Sequence, residues 1–163
     1  MPLRSARCYR KVKRPYTRKE YIKSIPDVKI RKFMFGNKKG TFDVEFKIIA
    51  KAPFQVRSNA LEALRIGMLS QLRQVPQDNY FVLIHPHPHH ILRKHGMAGG
   101  HKAERLQKGM RLAFGKPDGR AAQLEPNQVI VTAKVKNEYV EEMRQALKVA
   151  MRKLPPFVAL VKS

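Results

Sequence analysis

The chain has 163 residues, enough for one domain with an arm, and its 43% hydrophobic content excludes a low-complexity tail. Its 34 Lys and Arg against 12 Asp and Glu leave a net charge of +22, self-repelling in a compact monomer unless a polyanionic partner answers it. No apolar run approaches the roughly 18 residues of a membrane-spanning helix, and the lone Cys8 excludes a disulfide framework and an all-cysteine metal site.

Residues 1–39 carry fourteen Lys/Arg and two acids, whereas residues 40–92 are nearly neutral, so charge is concentrated ahead of a balanced body. The basic N-terminus lacks the apolar core of a secretory signal, and a cytosolic protein is expected. Residues 1–24 form a basic arm in which Arg4, Arg7, Arg10, Lys11, Lys13, Arg14, Arg18 and Lys19 interleave with Tyr9, Tyr16 and Tyr21. Guanidinium and phenol planes stack on unpaired bases, while lysines meet phosphates. The competing reading is a disordered basic tail, and the two merge if the tail orders only on RNA.

VKIRKFMF (28–35) loosely alternates apolar and basic residues, which predicts a strand with a positive outer face that includes Arg31. GNKKG (36–40), with Lys38 and Lys39, predicts a turn. TFDVEFKIIAK (41–51) alternates cleanly, with Phe42, Val44, Phe46 and Ile48 on one face, until Pro53 ends the strand. Ser58 offers a helix N-cap, and Leu61, Leu64, Met68 and Leu72 form the apolar stripe behind it. Pro76–Asn79 breaks that helix, and YFVLI (80–84) predicts a short buried strand.

QVIVTAKV (128–135) predicts another strand, after which Asn137 caps a second amphipathic helix carrying Val140, Met143, Leu147, Ala150 and Leu154 on one side. Glu138, Glu141 and Glu142 near its start and Lys148, Arg152 and Lys153 near its end match the helix dipole. Pro155-Pro156 stops it, and FVALV (157–161) predicts a closing edge strand. The order predicts a single α+β domain, with two amphipathic helices packed on a mostly antiparallel sheet.

Between the two halves runs a long internal basic loop, residues 93–120, carrying Arg93, Lys94, Lys102, Arg105, Lys108, Arg111, Lys116 and Arg120 against only Glu104 and Asp118. It also holds six of the nine glycines, which let backbone approach a ligand closely. A loop this long in a compact domain is usually functional or disordered. The functional reading is a basic finger pushed into RNA; the alternative is a solvated disordered loop. Ala103 to Lys108 suits a short helical turn, and Met110, Leu112 and Phe114 either wedge against RNA or fold back on the body. A phosphate-loop reading fails, because five residues separate Gly109 from Gly115 and Lys116 precedes Pro117 rather than Ser or Thr.

All six histidines fall between 85 and 101, and FVLIHPHPHH places His85, His87 and His89 on one side of an extended chain with His90 opposite. A metal-dependent nuclease built on this cluster is therefore an alternative, weakened because His89 stands where such sites need an aspartate. A sequence-tolerant DNA-binding protein is a second alternative. No Ser or Cys nucleophile set is visible, and no cofactor, metal or small-molecule substrate is expected.

ARCYR (6–10) with Pro15-Tyr16, IPDVKIRKFMFGNKK (25–39), SNALEALRI (58–66), HPHPHHILRKH (85–95) and AERLQKGMRLAFGKPDG (103–119) resemble, in that order, the archaeal and eukaryotic L-ten-e branch of a universal large-subunit ribosomal protein family related to bacterial L-sixteen. The resemblance implies a hammerhead-type α+β fold and a non-enzymatic role on large-subunit rRNA below the central protuberance. It implies that the internal loop, roughly His95 to Phe114, points toward the peptidyl-transferase region and the tRNAs of the A and P sites. Neighbouring ribosomal proteins are further implied partners. The pattern departs at His101-Lys102, where a small Gly/Ala pair is expected. The end at Ser163, without the longer tail of eukaryotic members, points to an archaeal source.

Overall fold

The computed structural model describes residues 9–10, 14–97 and 109–162. Its spine is the clean alternation in β2 (Val44–Ala50), where Phe46, Ile48 and Ala50 turn inward. β2 pairs antiparallel with β7 (Val129–Val135) in the register Phe46↔Ala133 and Ile48↔Val131. Around that pair a five-stranded antiparallel sheet assembles in the order β1-β4-β7-β2-β8, with β1 at Met34–Gly36, β4 at Tyr80–Ile84 and β8 at Val158–Lys162. FVALV thus supplies an edge strand, shifted by one residue from its expected start.

Two helices cover one face of this sheet and pack against each other: α1 (Ser58–Gln71) and α2 (Val140–Met151). Their stripes, Leu61, Leu64 and Met68 on α1 and Met143, Leu147 and Ala150 on α2, are fully buried against Phe46, Ile48, Val82 and Val131. Glu141 and Glu142 occupy the first turn of α2 and Lys148 its last, as the dipole favours.

Both expected caps are displaced. α1 follows β3 (Phe54–Arg57) without a loop, so Arg57 takes the capping position with extended backbone, and Ser58 is already a buried helical residue. Asn137 opens a short 3-10 turn (Asn137–Tyr139), where its N–H donates to Oδ2 of Asp43 at 3.1 Å; Tyr139 is the residue before α2. The strand expected over 28–35 forms only at its end. Ile30, 1% exposed, plugs the core instead, and the Ile84 N–H donates to the Phe33 carbonyl before regular pairing begins at Met34. Gly36 closes β1 at φ +88°, where a Cβ would sit 2.2 Å from the Tyr80 carbonyl oxygen.

A second sheet was not anticipated. β3, β6 (Lys116–Leu124) and β5 (His90–Lys94) form a three-stranded antiparallel sheet in the order β3-β6-β5. The internal loop expected over 93–120 is therefore narrower, since residues 93–94 and 116–120 belong to strands. Pro117 is tolerated in β6 because it falls at the irregularity between Leu92 and Arg93 of its partner, where the ladder is interrupted.

The arm docks on both outer edges of this sheet. Arg10 makes an isolated antiparallel bridge to Phe54 of β3. At the opposite edge the Ile91 N–H of β5 donates to the Tyr16 carbonyl, and Ile22 is buried further along. Arg10, Tyr16 and Ile22 thus tie the arm to the folded body, while Arg14, Pro15, Thr17–Tyr21, Lys23 and Ser24 are exposed. Cys8, Arg4, Arg7, Lys11 and Lys13 lie outside the described residues.

Candidate nucleic-acid interface

The β5–β6 hairpin is the base on which the internal loop stands. Its strands end at the cross-strand pair Lys94↔Lys116, two cations directly opposite one another. Like charges at such positions destabilise a sheet, so this site is suited to a polyanion that neutralises both. Beyond them the chain turns back at Gly115, whose φ of +79° and approach to the Lys94 backbone leave no room for a side chain; a Cβ would lie 2.9 Å from the Lys94 carbonyl carbon. The His95 ring closes the base from the other side, Nε2 donating to the Gly109 carbonyl at 2.8 Å.

Arg93 locks the arm to this base. Its guanidinium lies 3.7 Å from the centroid of Phe114 and 4.9 Å from that of Tyr16, and the two rings meet edge to face at 5.8 Å. One of its N–H groups also donates to the Phe114 carbonyl at 3.1 Å. The sequence marked Arg93 as a phosphate ligand and Tyr16 as a base-stacking ring. In the fold each is first a partner of the other.

Of the alternatives for Met110, Leu112 and Phe114, burial in the core does not occur: they are 67%, 84% and 65% exposed, although Phe114 turns back far enough to touch Tyr16 and Arg93. Leu112 is held at φ +58°, a left-handed backbone that a leucine rarely adopts. Leu112 and Phe114 line an open groove of about 590 Å³ together with Lys94, Arg111 and Lys116. Exposed apolar side chains beside cations suit unstacked bases flanked by phosphates.

The remaining expected ligands line this groove, follow the arm or, as Arg31, Lys38 and Lys39, flank β1 of the larger sheet. Arg10, Arg14, Arg18, Lys19, Arg31, Lys38, Lys39, Lys94, Arg111 and Lys116 are all exposed. Arg31 is paired with Asp27 at 3.2 Å, where the Val28 N–H and the Arg31 guanidinium hold the Asp27 carboxyl below its ordinary range. Both side chains of that pair are solvated, so the link is weak and Arg31 can be recruited elsewhere. Arg120 differs from the rest. It is half-buried in β6 opposite Ile91, with Nε buried and without a hydrogen-bond partner among the described residues. Lys102, Arg105, Lys108 and the expected helical turn over 103–108 lie outside the described residues.

The histidines do not converge. His85, His87 and His89 face solvent while Pro86, Pro88 and His90 are buried, as the alternation suggested. Each ring has its own neighbour: His85 Nε2 meets Thr132 Oγ1 at 2.7 Å, His87 tilts against Phe33, and His89 Nδ1 donates to the His87 carbonyl. His90 Nδ1 accepts from the Tyr16 N–H. Burial holds both His85 and His90 below the usual histidine value. Among the described residues no three His, Cys, Asp or Glu side chains are placed to hold a metal ion, so the nuclease alternative gains no ligand set.

A family model described as ribosomal protein L16p/L10e matches residues 10–161. The large ribosomal subunit protein uL16 of Sulfolobus acidocaldarius is 45% identical over 159 residues, an alignment covering 95% of this chain and 90% of that protein. The proteins of the same name from Saccharolobus islandicus and Saccharolobus solfataricus are each 46% identical over 159 residues, covering 95% of this chain and 89% of theirs.

Proposed function

The chain belongs to the ribosomal protein L16p/L10e family, and on that footing we propose that it is a structural constituent of the large ribosomal subunit, held on rRNA below the central protuberance in the cytoplasmic ribosome. Its role is structural rather than catalytic. The arm and the β5–β6 loop neutralise rRNA phosphates, and the loop reaches toward the A- and P-site tRNAs and helps to organise the peptidyl-transferase region. Neighbouring ribosomal proteins complete its surroundings.

The observation that carries this reading is the loop base. Lys94 and Lys116 oppose each other across a hairpin, with Arg111 and two exposed apolar side chains in the same groove. That arrangement is unfavourable alone and becomes favourable once the two lysines neutralise phosphates and release the counterions condensed on the RNA. Duplex DNA supplies phosphates but no unstacked bases for Leu112 and Phe114, which favours folded RNA over the DNA-binding alternative.

The purified chain should co-sediment with large subunits in moderate salt, and rRNA fragments should outcompete duplex DNA at equal salt. A protein that remains at the top of the gradient, or that prefers the duplex, contradicts the proposal.

A further inference from the structure

We propose that the groove where the arm meets the end of α2 is a slot for one unstacked rRNA nucleotide, its base laid against Tyr9 and Phe157 and its phosphates held by Arg10, Arg152 and Lys153. This rests on the rRNA-binding reading but concerns a surface distinct from the internal loop. Its cations at 152 and 153 belong to no basic run.

The groove encloses about 560 Å³, within the range of roughly 300–1,000 Å³ that small ligands fill. Phe54 and Leu154 form a buried apolar floor, and Pro53, Pro155 and Pro156 stiffen the walls. Phe157 is 53% exposed, yet it is not part of a frayed end: its carbonyl accepts from the Lys51 N–H at 2.8 Å, and β8 begins at the next residue. On the other wall Arg10 is fixed by its bridge to Phe54, which holds the neighbouring Tyr9 at the mouth. Two aromatic residues are thereby kept partly in water by backbone pairing.

Charge selects the occupant. Among the described residues, every ionisable group lining the groove other than the Tyr9 phenol is a cation, Arg10, Arg152 and Lys153, and no carboxylate lines it. An apolar peptide would leave three cations without counter-charge, whereas a nucleotide presents a flat π-face to the rings and phosphate to the rim. Stacking of this kind tolerates any base, so the slot positions the RNA rather than reading its sequence.

The test binds the full chain to deproteinised large-subunit rRNA. Affinity is measured against salt, and peptide–nucleotide adducts are mapped after ultraviolet crosslinking. Adducts on the peptides containing Tyr9 or Phe157 are expected. Phe157→Leu, which keeps an apolar side chain but no ring, should bind about tenfold more weakly, and Phe157→Tyr should bind like the wild type. Joint replacement of Arg152 and Lys153 by Ala, at exposed positions past the end of α2, should lower the melting temperature by no more than a few degrees and lower the salt slope by about two phosphate contacts. Wild-type rRNA binding with adducts confined to other regions and unchanged affinity in all three variants overturns the slot alone. So do crosslinks from Phe157 to a neighbouring protein, without nucleotide adducts, in assembled subunits. A wild-type chain that binds no rRNA overturns the rRNA reading and this inference with it.

Discussion

The backbone N–H of Tyr16 donates to Nδ1 of His90 at 2.8 Å, joining residues 74 positions apart. The next residue returns the contact, Ile91 N–H to the Tyr16 carbonyl at 3.1 Å, so the arm is tied to the free edge of β5 by a side chain and a main chain together. Because Nδ1 accepts, the neutral ring carries its proton on Nε2. Burial first, then the charges of His89 and Arg93, hold this imidazole below its ordinary value.

That linkage has a sign. A histidine whose folded pKa is depressed contributes its full stability above the unfolded value near 6.5 and loses it as pH falls toward the folded value, because the unfolded chain takes up the proton first. His85, also lowered by burial, acts in the same direction. Protonation on Nδ1 additionally turns an acceptor toward the Tyr16 N–H into a donor. Hydrogen exchange, corrected for intrinsic rates, should show the Tyr16 and Ile91 amides protected at neutral pH and losing protection in mild acid. His90→Asn, whose Oδ1 accepts at either pH, should keep them protected; wild-type protection that is the same at both would contradict the argument.

Gly115→Ala tests whether the loop base is built by close backbone approach. A Cβ there meets the Lys94 backbone at 2.9 Å on a residue already at φ +79°. The expected cost is about 1–3 kcal/mol, read as a lowered melting temperature. Gly119→Ala, within the adjoining strand β6 and with open space around its Cβ position, should cost clearly less. Equal losses at the two sites would mean that backbone crowding is not what closes the hairpin.

Salt dependence separates phosphate ligands from solvated charge. Arg111→Ala and Lys116→Ala should each lower the salt slope of rRNA binding by about one phosphate contact, without changing the melt. Arg144→Ala, on α2 beside Glu141 at 3.8 Å, should leave the slope as it was. An unchanged slope in both loop variants removes that groove from the interface.

The core behaves in the opposite way. Leu64 and Leu147 are fully buried on the facing stripes of α1 and α2. Truncating either to Ala should cost about 2–5 kcal/mol in denaturant unfolding. Leu112→Ala, at a site 84% exposed, should move stability by less than about 0.5 kcal/mol while weakening rRNA binding. A large stability loss at Leu112 would place it in the body rather than at the interface.

The elements legible in the residues are those that bury one face against a single neighbour. β2, β4, β7 and the stripes of α1 and α2 carry their periodicity locally, because alternate or every third and fourth side chain is excluded from water. The three-stranded sheet left no such trace. Phe54, Gln55 and Val56 of β3 are all buried, which erases alternation; β5 follows a His-Pro repeat; and β6 contains Pro117 and Gly119, poor strand formers alone. Residues 28–33 err the other way, alternating like a strand although the fold uses Ile30 as a plug.

Composition and local order by themselves determined the α+β class, the excess of positive charge and hence the kind of partner, since net charge and side-chain periodicity need no knowledge of what lies across space. Only the tertiary structure decided that β6 is a strand, that the loop base sets Lys94 against Lys116, and that the Arg93 guanidinium rests on Phe114 and Tyr16. Strand pairing and ring contacts join residues distant in the chain, and their stability comes from partners that no local window contains.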